Sequence, residues 1–155
     1  MNYIIYTDGS VYDNKHPTVG GYAFVVVLDD KIIHKQSEAF EMTTNNQSEL
    51  SAITEALFWF RDNCDPDDNV TVFSDSEYCV EGYNEWMENW KKRGWKRSSG
   101  KPSKNRFHWK RLDELKVLLN KRVKLQWCKG HSGIEYNELV DDMARGVWKK
   151  HYGFE

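Results

Sequence analysis

No apolar run in this chain of 155 residues is long enough to cross a membrane. The longest, Tyr22 to Leu28, falls far short of the ~20 residues that a helical span needs. A membrane partner is therefore not expected. The first residues, Met1-Asn2-Tyr3-Ile4-Ile5, have no basic region and no cleavage pattern, so no secretory signal is expected. Cysteine is scarce: Cys64, Cys79 and Cys128 make an odd count, with no C-x-x-C spacing. That argues against a disulfide framework and against a zinc site, and for reduced thiols in a cytoplasmic protein. There is no internal repeat and no low-complexity tail. The length suits a single domain over residues 1–155. A chain of this size can bury roughly 70% of its unfolded surface.

The net charge of −2 conceals a strong asymmetry. Lys91 to Lys129 holds 15 Lys/Arg against only Asp113 and Glu114, a local charge of +13, while the remainder carries 7 against 22, or −15. Lys91 to Arg111 contains ten basic residues and no acid. A cationic lobe attracts polyanions, whereas a concentrated anionic site repels them unless a cation sits there. The pairing points to metal-assisted work on nucleic acid. Trp86, Trp90, Trp95, Phe107 and Trp109 are interleaved with the basic run, a stacking pattern for nucleic acid. The other reading makes these rings core: Trp86 and Trp90, four apart, share one helix face.

Periodicity predicts an α/β chain. Residues 3–8 read as a strand ending at Asp8-Gly9-Ser10, 20–29 as a second and 31–41 as a third, an antiparallel meander. After the capping run Thr43-Thr44-Asn45-Asn46, residues 46–62 have helical spacing. Val70 to Asp75 is a short strand, and helical segments follow from Glu77 to about Lys92. A polar, basic excursion (Arg93 to Asn105) leads into a helix from Phe107 to Leu119. Residues 122–128 alternate as a fifth strand. Lys129-Gly130-His131-Ser132-Gly133 is a glycine-bracketed loop, and 135–150 a last helix. The expected architecture is a mixed five-stranded sheet flanked by helices, in the order βββαβ, helices, βα.

Both Asp8 and Asp75 are expected where strands end, the usual place for sites in open α/β sheets. Glu49 lies early in a helix, and Asp141 and Asp142 lie in the last one. Crowded carboxylates raise one another's pKa, and divalent cations remove that cost. Oxygen ligands without His or Cys select Mg²⁺ or Mn²⁺. Two ions about 3.5–4 Å apart can activate water and stabilise the leaving oxygen in phosphodiester hydrolysis. Each carboxylate alone also reads as a turn or cap residue; the combination is what points to a metal site.

The motifs Tyr6-Thr7-Asp8-Gly9-Ser10, Gly20-Gly21-Tyr22, Thr43-Thr44-Asn45-Asn46 with Glu49-Leu50, and Ser74-Asp75-Ser76 with Tyr78 resemble ribonuclease H of the bacterial type-1 class. So do Asn89-Trp90-Lys91-Lys92-Arg93-Gly94-Trp95-Lys96, Lys129-Gly130-His131-Ser132-Gly133, and Asn137-Glu138 followed by Asp141. They occur in the family's order over nearly the whole chain. The resemblance implies the ribonuclease H-like fold with a basic handle at about 86–105. It implies cleavage of the RNA strand of RNA–DNA hybrids, leaving a 5′-phosphate and a 3′-hydroxyl. Asp8, Glu49, Asp75 and Asp141 would hold two Mg²⁺ ions, with Mn²⁺ a substitute. Asp141 is chosen over Asp142 by its spacing from Asn137. His131 would assist proton movement or product release, a role its unperturbed pKa near 6.5 suits.

Hybrid contacts are expected from Asn14, Thr44, Asn45, Asn46, Gln47 and Asn105. The handle cations Lys91, Lys92, Arg93, Lys96 and Arg97 would bind backbone charge. Trp86 and Trp109 would line the DNA channel, while Trp90 and Trp95 pack the handle. Phosphate contacts carry no sequence information, so cleavage should be largely sequence-independent. The loop Val11 to Val19 departs from the shorter glycine- and proline-rich family loop, which puts the role of Asn14 in question. Glu77 stands where some members carry an amide. A separate hybrid-binding domain is not expected, and a monomer is. The rivals are another metal nuclease on the same fold, such as a reverse-transcriptase domain or an integrase-like enzyme, and a non-catalytic hybrid binder.

Overall fold

The computed structural model describes residues 1–130 and 135–154. The first three strands are β1 (Asn2–Val11), β2 (Thr18–Leu28) and β3 (Lys31–Thr43), followed by helix α1 (Asn45–Asn63) and strand β4 (Asn69–Ser74). Helices α2 (Glu77–Glu81) and α3 (Met87–Lys92) flank a π-helical turn, Gly82–Trp86. Helix α4 (Arg106–Leu119), a short 3₁₀ turn, strand β5 (Val123–Trp127) and helix α5 (Glu135–His151) complete the order. The five strands form one sheet in the order β3-β2-β1-β4-β5. β1–β2 and β2–β3 are antiparallel, and β1–β4 and β4–β5 parallel. The expected mixed sheet is present.

The apolar run in β2 is explained by burial on both faces. Tyr22, Phe24 and Val26 face the main core with Leu50, Ile53, Leu57 and Phe60 of α1. Ala23 and Val25 face the other way, onto Val140 and Ala144 of α5. A strand covered on both sides loses the polar alternation of a half-exposed one. Burying each such Val, Leu or Phe side chain contributes roughly 1.5–3 kcal/mol. The edge strand β3 keeps a mostly exposed pattern.

Three expectations change. β1 does not end at Asp8: its antiparallel pairing with β2 continues to Val11–Gly20. The parallel pairing with β4 stops at Tyr6–Phe73, so Asp8 lies within a strand but just past the point where β4 falls away. The helical stretch after Glu77 is interrupted by the π turn, a feature that often accompanies function. Trp109 is fully buried, with its ring against Gly82, where even a Cβ would lie 2.2 Å from its edge. It cannot line a channel as expected; it is core. The Lys129 to Gly133 loop and its His131 lie, from His131 onward, outside the described residues.

Candidate active site

Neighbouring elements deliver the carboxylates. Asp8 hangs from β1 where the parallel ladder has opened. Asp75 follows β4 directly and precedes Ser76, which caps α2 by accepting from the Cys79 amide at 3.1 Å. Backbone bonds hold that end: the Cys128 amide donates to Ser74 O at 2.9 Å, and Trp127 Nε1 to Asp75 O at 3.1 Å. Glu49 is placed by α1, whose N-cap Thr44 accepts from the Gln47 amide at 3.2 Å.

Close approach of α1 to β1 depends on Gly9. A Cβ there would stand 2.4 Å from Ser48 Oγ and 2.5 Å from the Glu49 amide. Its N–H donates to Asp8 Oδ1 at 3.0 Å and to Glu49 Oε1. Asp8 and Glu49 are almost completely buried, and oxygens of Asp8, Glu49 and Asp75 all lie within 4.8 Å of one another. Glu49 Oε2 is buried with no hydrogen-bond partner.

Such crowding has the expected electrostatic effect. Burial, with the charges of Asp75 and Asp141, pushes the Asp8 carboxyl up to about 8. Glu49 is pushed well above the usual range by burial first and then by Asp8. The nearby Cys128 thiol is raised to about 11 by burial, Asp75 and Asp8, which keeps it neutral and a poor metal ligand. Asp141 lines the same cleft, of about 240 Å³, from α5. Its carboxylate accepts from Arg145 at 2.8 Å. Asp142 shares Arg145 but is 76% exposed.

The nucleic-acid candidates divide into two groups. Asn14, Thr44, Asn45, Asn46, Gln47 and Asn105 line one cleft of about 550 Å³. Asn45 also borders the carboxylate cleft, so the two are contiguous. Gln47 Nε2 donates to Asn105 Oδ1 at 3.3 Å, Asn105 Nδ2 to Tyr78 Oη at 3.1 Å, and Trp109 Nε1 to the same hydroxyl at 3.0 Å. The buried Trp109 thus supports these polar groups from behind. Arg93, Lys96 and Arg97 line a second cleft of about 400 Å³ beside Tyr78 and Trp90. Trp86 is exposed at the π turn, and Trp95 is buried.

Lys91 differs from the other handle cations. Its Nζ is 3.2 Å from Asp113 Oδ2, a carboxylate only 10% exposed. Its charge is paired with Asp113 and joins α3 to α4. Three further contributors were given no role from the sequence, although Gly9 and Asn137 stand in the motifs that carry the family resemblance. Gly9 read as a generic turn residue. Arg145 stands four residues after Asp141 on a helix, a spacing that could have revealed it. Asn137, buried, donates to Lys129 O at 2.9 Å and holds the end of the β5 loop.

A family model for RNase H matches residues 1–149. The chain belongs to the ribonuclease H family. It is similar to the ribonuclease H of Pseudoalteromonas atlantica, 44% identical over 141 residues, covering 91% of this chain and 86% of that one. It is also similar to the ribonuclease H of Citrobacter koseri, 41% identical over 145 residues, with 92% and 86% covered. Among solved structures, LC11-RNase H1 in complex with RNA/DNA hybrid superposes with a TM-score of 0.73 at 22% identity, over 97% of this chain and 99% of that one. That likeness shows the fold. Family membership makes the chain an endoribonuclease of the ribonuclease H type.

Proposed function

We propose that this chain hydrolyses the RNA strand of RNA–DNA hybrids at the carboxylate cleft, largely without regard to sequence, leaving a 5′-phosphate and a 3′-hydroxyl. The observation that carries the reading is the cluster of buried Asp8 and Glu49 with half-buried Asp75, their oxygens within 4.8 Å and one Glu49 oxygen lacking any partner. Carboxylates this close are stable together only as acids or around a cation. An all-oxygen set with a neutral thiol beside it fits a hard divalent ion, Mg²⁺ or Mn²⁺. Asp8, Glu49 and Asp75 would hold it, with Asp141 completing a two-ion site. When bound, such ions polarise the phosphate and lower the pKa of the attacking water.

The remaining roles belong to this chain's own groups. The Gly9 amide orients the Asp8 and Glu49 oxygens, and Arg145 holds Asp141 at the rim. Asn14, Thr44, Asn45, Asn46, Gln47 and Asn105 face the hybrid, where 2′-hydroxyls in a wide minor groove distinguish RNA from DNA. Lys92, Arg93, Lys96 and Arg97 hold backbone charge, with Trp86 as a stacking face. His131 keeps its proposed part in proton movement or product release. The hybrid bound by LC11-RNase H1 supports this choice of substrate. Among the described residues no helix is long and apolar enough to cross a membrane. We take residues 1–155 as one domain and the protein as a monomer; for a reducing, cytoplasmic compartment its three free thiols are the support.

The test incubates labelled RNA–DNA hybrid, duplex RNA and duplex DNA with the protein, in Mg²⁺ or chelator, beside Asp75→Asn. Cutting of the hybrid's RNA strand alone, dependent on Mg²⁺ and lost in the variant, is expected. Cutting of duplex DNA, or turnover retained by Asp75→Asn, would overturn the reading.

A further inference from the structure

The loop between β1 and β2, which departs from the family pattern, supplies Asn14 to the substrate cleft. It also contributes Tyr12, Asp13 and Asn14 to an adjoining hollow of about 390 Å³ that reaches Gly9. Such a loop needs support if its tip is to stand in one place. Within the loop the support is local and largely exposed: the Tyr12 amide donates to Val19 O at 2.9 Å, the Lys15 amide to Asp13 Oδ1 at 2.8 Å, and His16 Nε2 lies 3.7 Å from Asp13 Oδ2.

The turn after α5 supplies more. The Phe154 amide donates to Lys149 O at 2.8 Å, the six-to-one bond of a Schellman closure. The turn is made by Gly153, whose φ of +76° is left-handed and costs a side-chain-bearing residue strain. It folds Phe154 back over the helix end. There its ring lies 5.2 Å from that of Trp148 and 4.9 Å from that of Tyr12. Among the described residues, the other ring that Tyr12 meets is Trp148, edge-on at 6.0 Å. Trp148 is itself fixed, its Nε1 donating to Ser10 Oγ at 3.0 Å. One aromatic triad thus joins the turn after α5, the far end of β1 and the first residue of the substrate loop.

We propose that Phe154 is a positioning residue: by clamping Tyr12 it sets where the loop at Asn14 and Lys15 stands against the hybrid. It touches neither substrate nor the carboxylates. The proposal rests on the functional reading above for the substrate, and on geometry alone for the clamp. Its consequence is a division between binding and chemistry. Loss of the clamp frees the loop and weakens hybrid binding, while Asp8 and Glu49 keep their places on β1 and α1 and Asp75 its place just after β4.

The experiment compares the full chain with Phe154→Ala, Phe154→Tyr, Tyr12→Ala and the Phe154→Ala/Tyr12→Ala double variant. It measures KM and kcat on hybrid, and amide hydrogen exchange at Tyr12 and Lys15. Phe154→Ala should raise KM about 3- to 10-fold with kcat within twofold, and speed exchange at both amides about tenfold or more. Phe154→Tyr, which keeps the ring, should restore both. The double variant should be no worse than either single one, since the two residues act as a unit. A purely structural role would lower the melting temperature and kcat without moving KM. Exchange unchanged in Phe154→Ala, or KM within twofold of the parent, overturns the proposal. So does an additive double variant. If the parent protein does not cut hybrid, the functional reading fails by itself, and the exchange rates alone decide the clamp.

Discussion

In the carboxylate cleft the charges are buried or half-buried, of one sign and crowded together. In the handle they are exposed and spread along a polar excursion. Among the described residues, Lys91 is the one handle cation with an acidic partner. Each arrangement would be poor for the other's task. Buried like charges are held by the fold at a cost that a cation would offset, which suits the metal site proposed for this cleft. Exposed cations cost little to keep solvated and can follow a flexible polyanion, but they impose no geometry on a reacting phosphate. The difference teaches where to look for chemistry in this chain. The −15 of the remainder matters because three of its carboxylates crowd together, two of them buried; the +13 lobe matters because most of it is not buried.

The largest effect expected is at the cleft. Asp8→Asn should lose about 10³-fold or more in turnover, the several kcal/mol that a catalytic metal site supplies. The same change should stabilise the metal-free protein at pH 8. Asp8 in the folded chain binds its proton up to about 8, while an unfolded Asp titrates near 3.9. The folded state therefore holds the extra proton between those values, and stability from this group falls as pH rises from about 4 to about 8. Mg²⁺ should accordingly raise the melting temperature more at pH 8 than at pH 5, and calorimetry would record protons released on binding. A metal-free melting temperature independent of pH across that window would break the contrast on its anionic side.

Next comes the buried ring that lies between the two regions. Trp109→Ala should cost about 3–5 kcal/mol of stability, read by denaturant unfolding, because the ring is core. Under conditions where the variant is folded, hybrid affinity should fall only through the loosened Asn105 and Gln47. A stable variant with much weaker hybrid binding would return Trp109 to the channel.

Smaller again is Lys91→Ala. It leaves Asp113 without its cation and should cost about 1–3 kcal/mol of stability, with little change in the salt dependence of hybrid binding. Combining Lys92→Ala, Arg93→Ala and Lys96→Ala should do the reverse. Stability should move little, and the salt slope should flatten by up to about 0.9 for each phosphate no longer neutralised. A slope change in Lys91→Ala equal to that from Lys92→Ala would erase the distinction drawn within the handle.

Much of this was legible in the sequence, for physical reasons that can be named. Residues 46–62 declared α1 because Leu50, Ile53, Leu57 and Phe60 repeat on one face, and the helix found is Asn45–Asn63. Asp75 was readable because β4 stops at a polar residue that a capping serine follows. Asp8 was placed near its true position for a partly mistaken reason. Gly9-Ser10 looks like a turn, yet these residues continue in β1 because β2 pairs with them and α1 needs the space a glycine leaves. Periodicity marks Trp109 as one face of α4 but not what that face meets, and Gly82 is 27 positions away in sequence. The Lys91–Asp113 pair was hidden for the same reason: charge runs show composition, whereas partners are brought together by the tertiary fold.

One comparison tests the account most directly: the single-turnover cleavage rate and the hybrid dissociation constant, measured in the same assay for Asp75→Asn and for the combined Lys92→Ala, Arg93→Ala, Lys96→Ala variant. The account predicts that Asp75→Asn loses the rate while the dissociation constant stays within about threefold, and that the handle variant loses affinity while its rate at saturating hybrid stays near the parent's. If either variant moves both quantities together, chemistry and affinity are not divided between the two regions, and the account is contradicted.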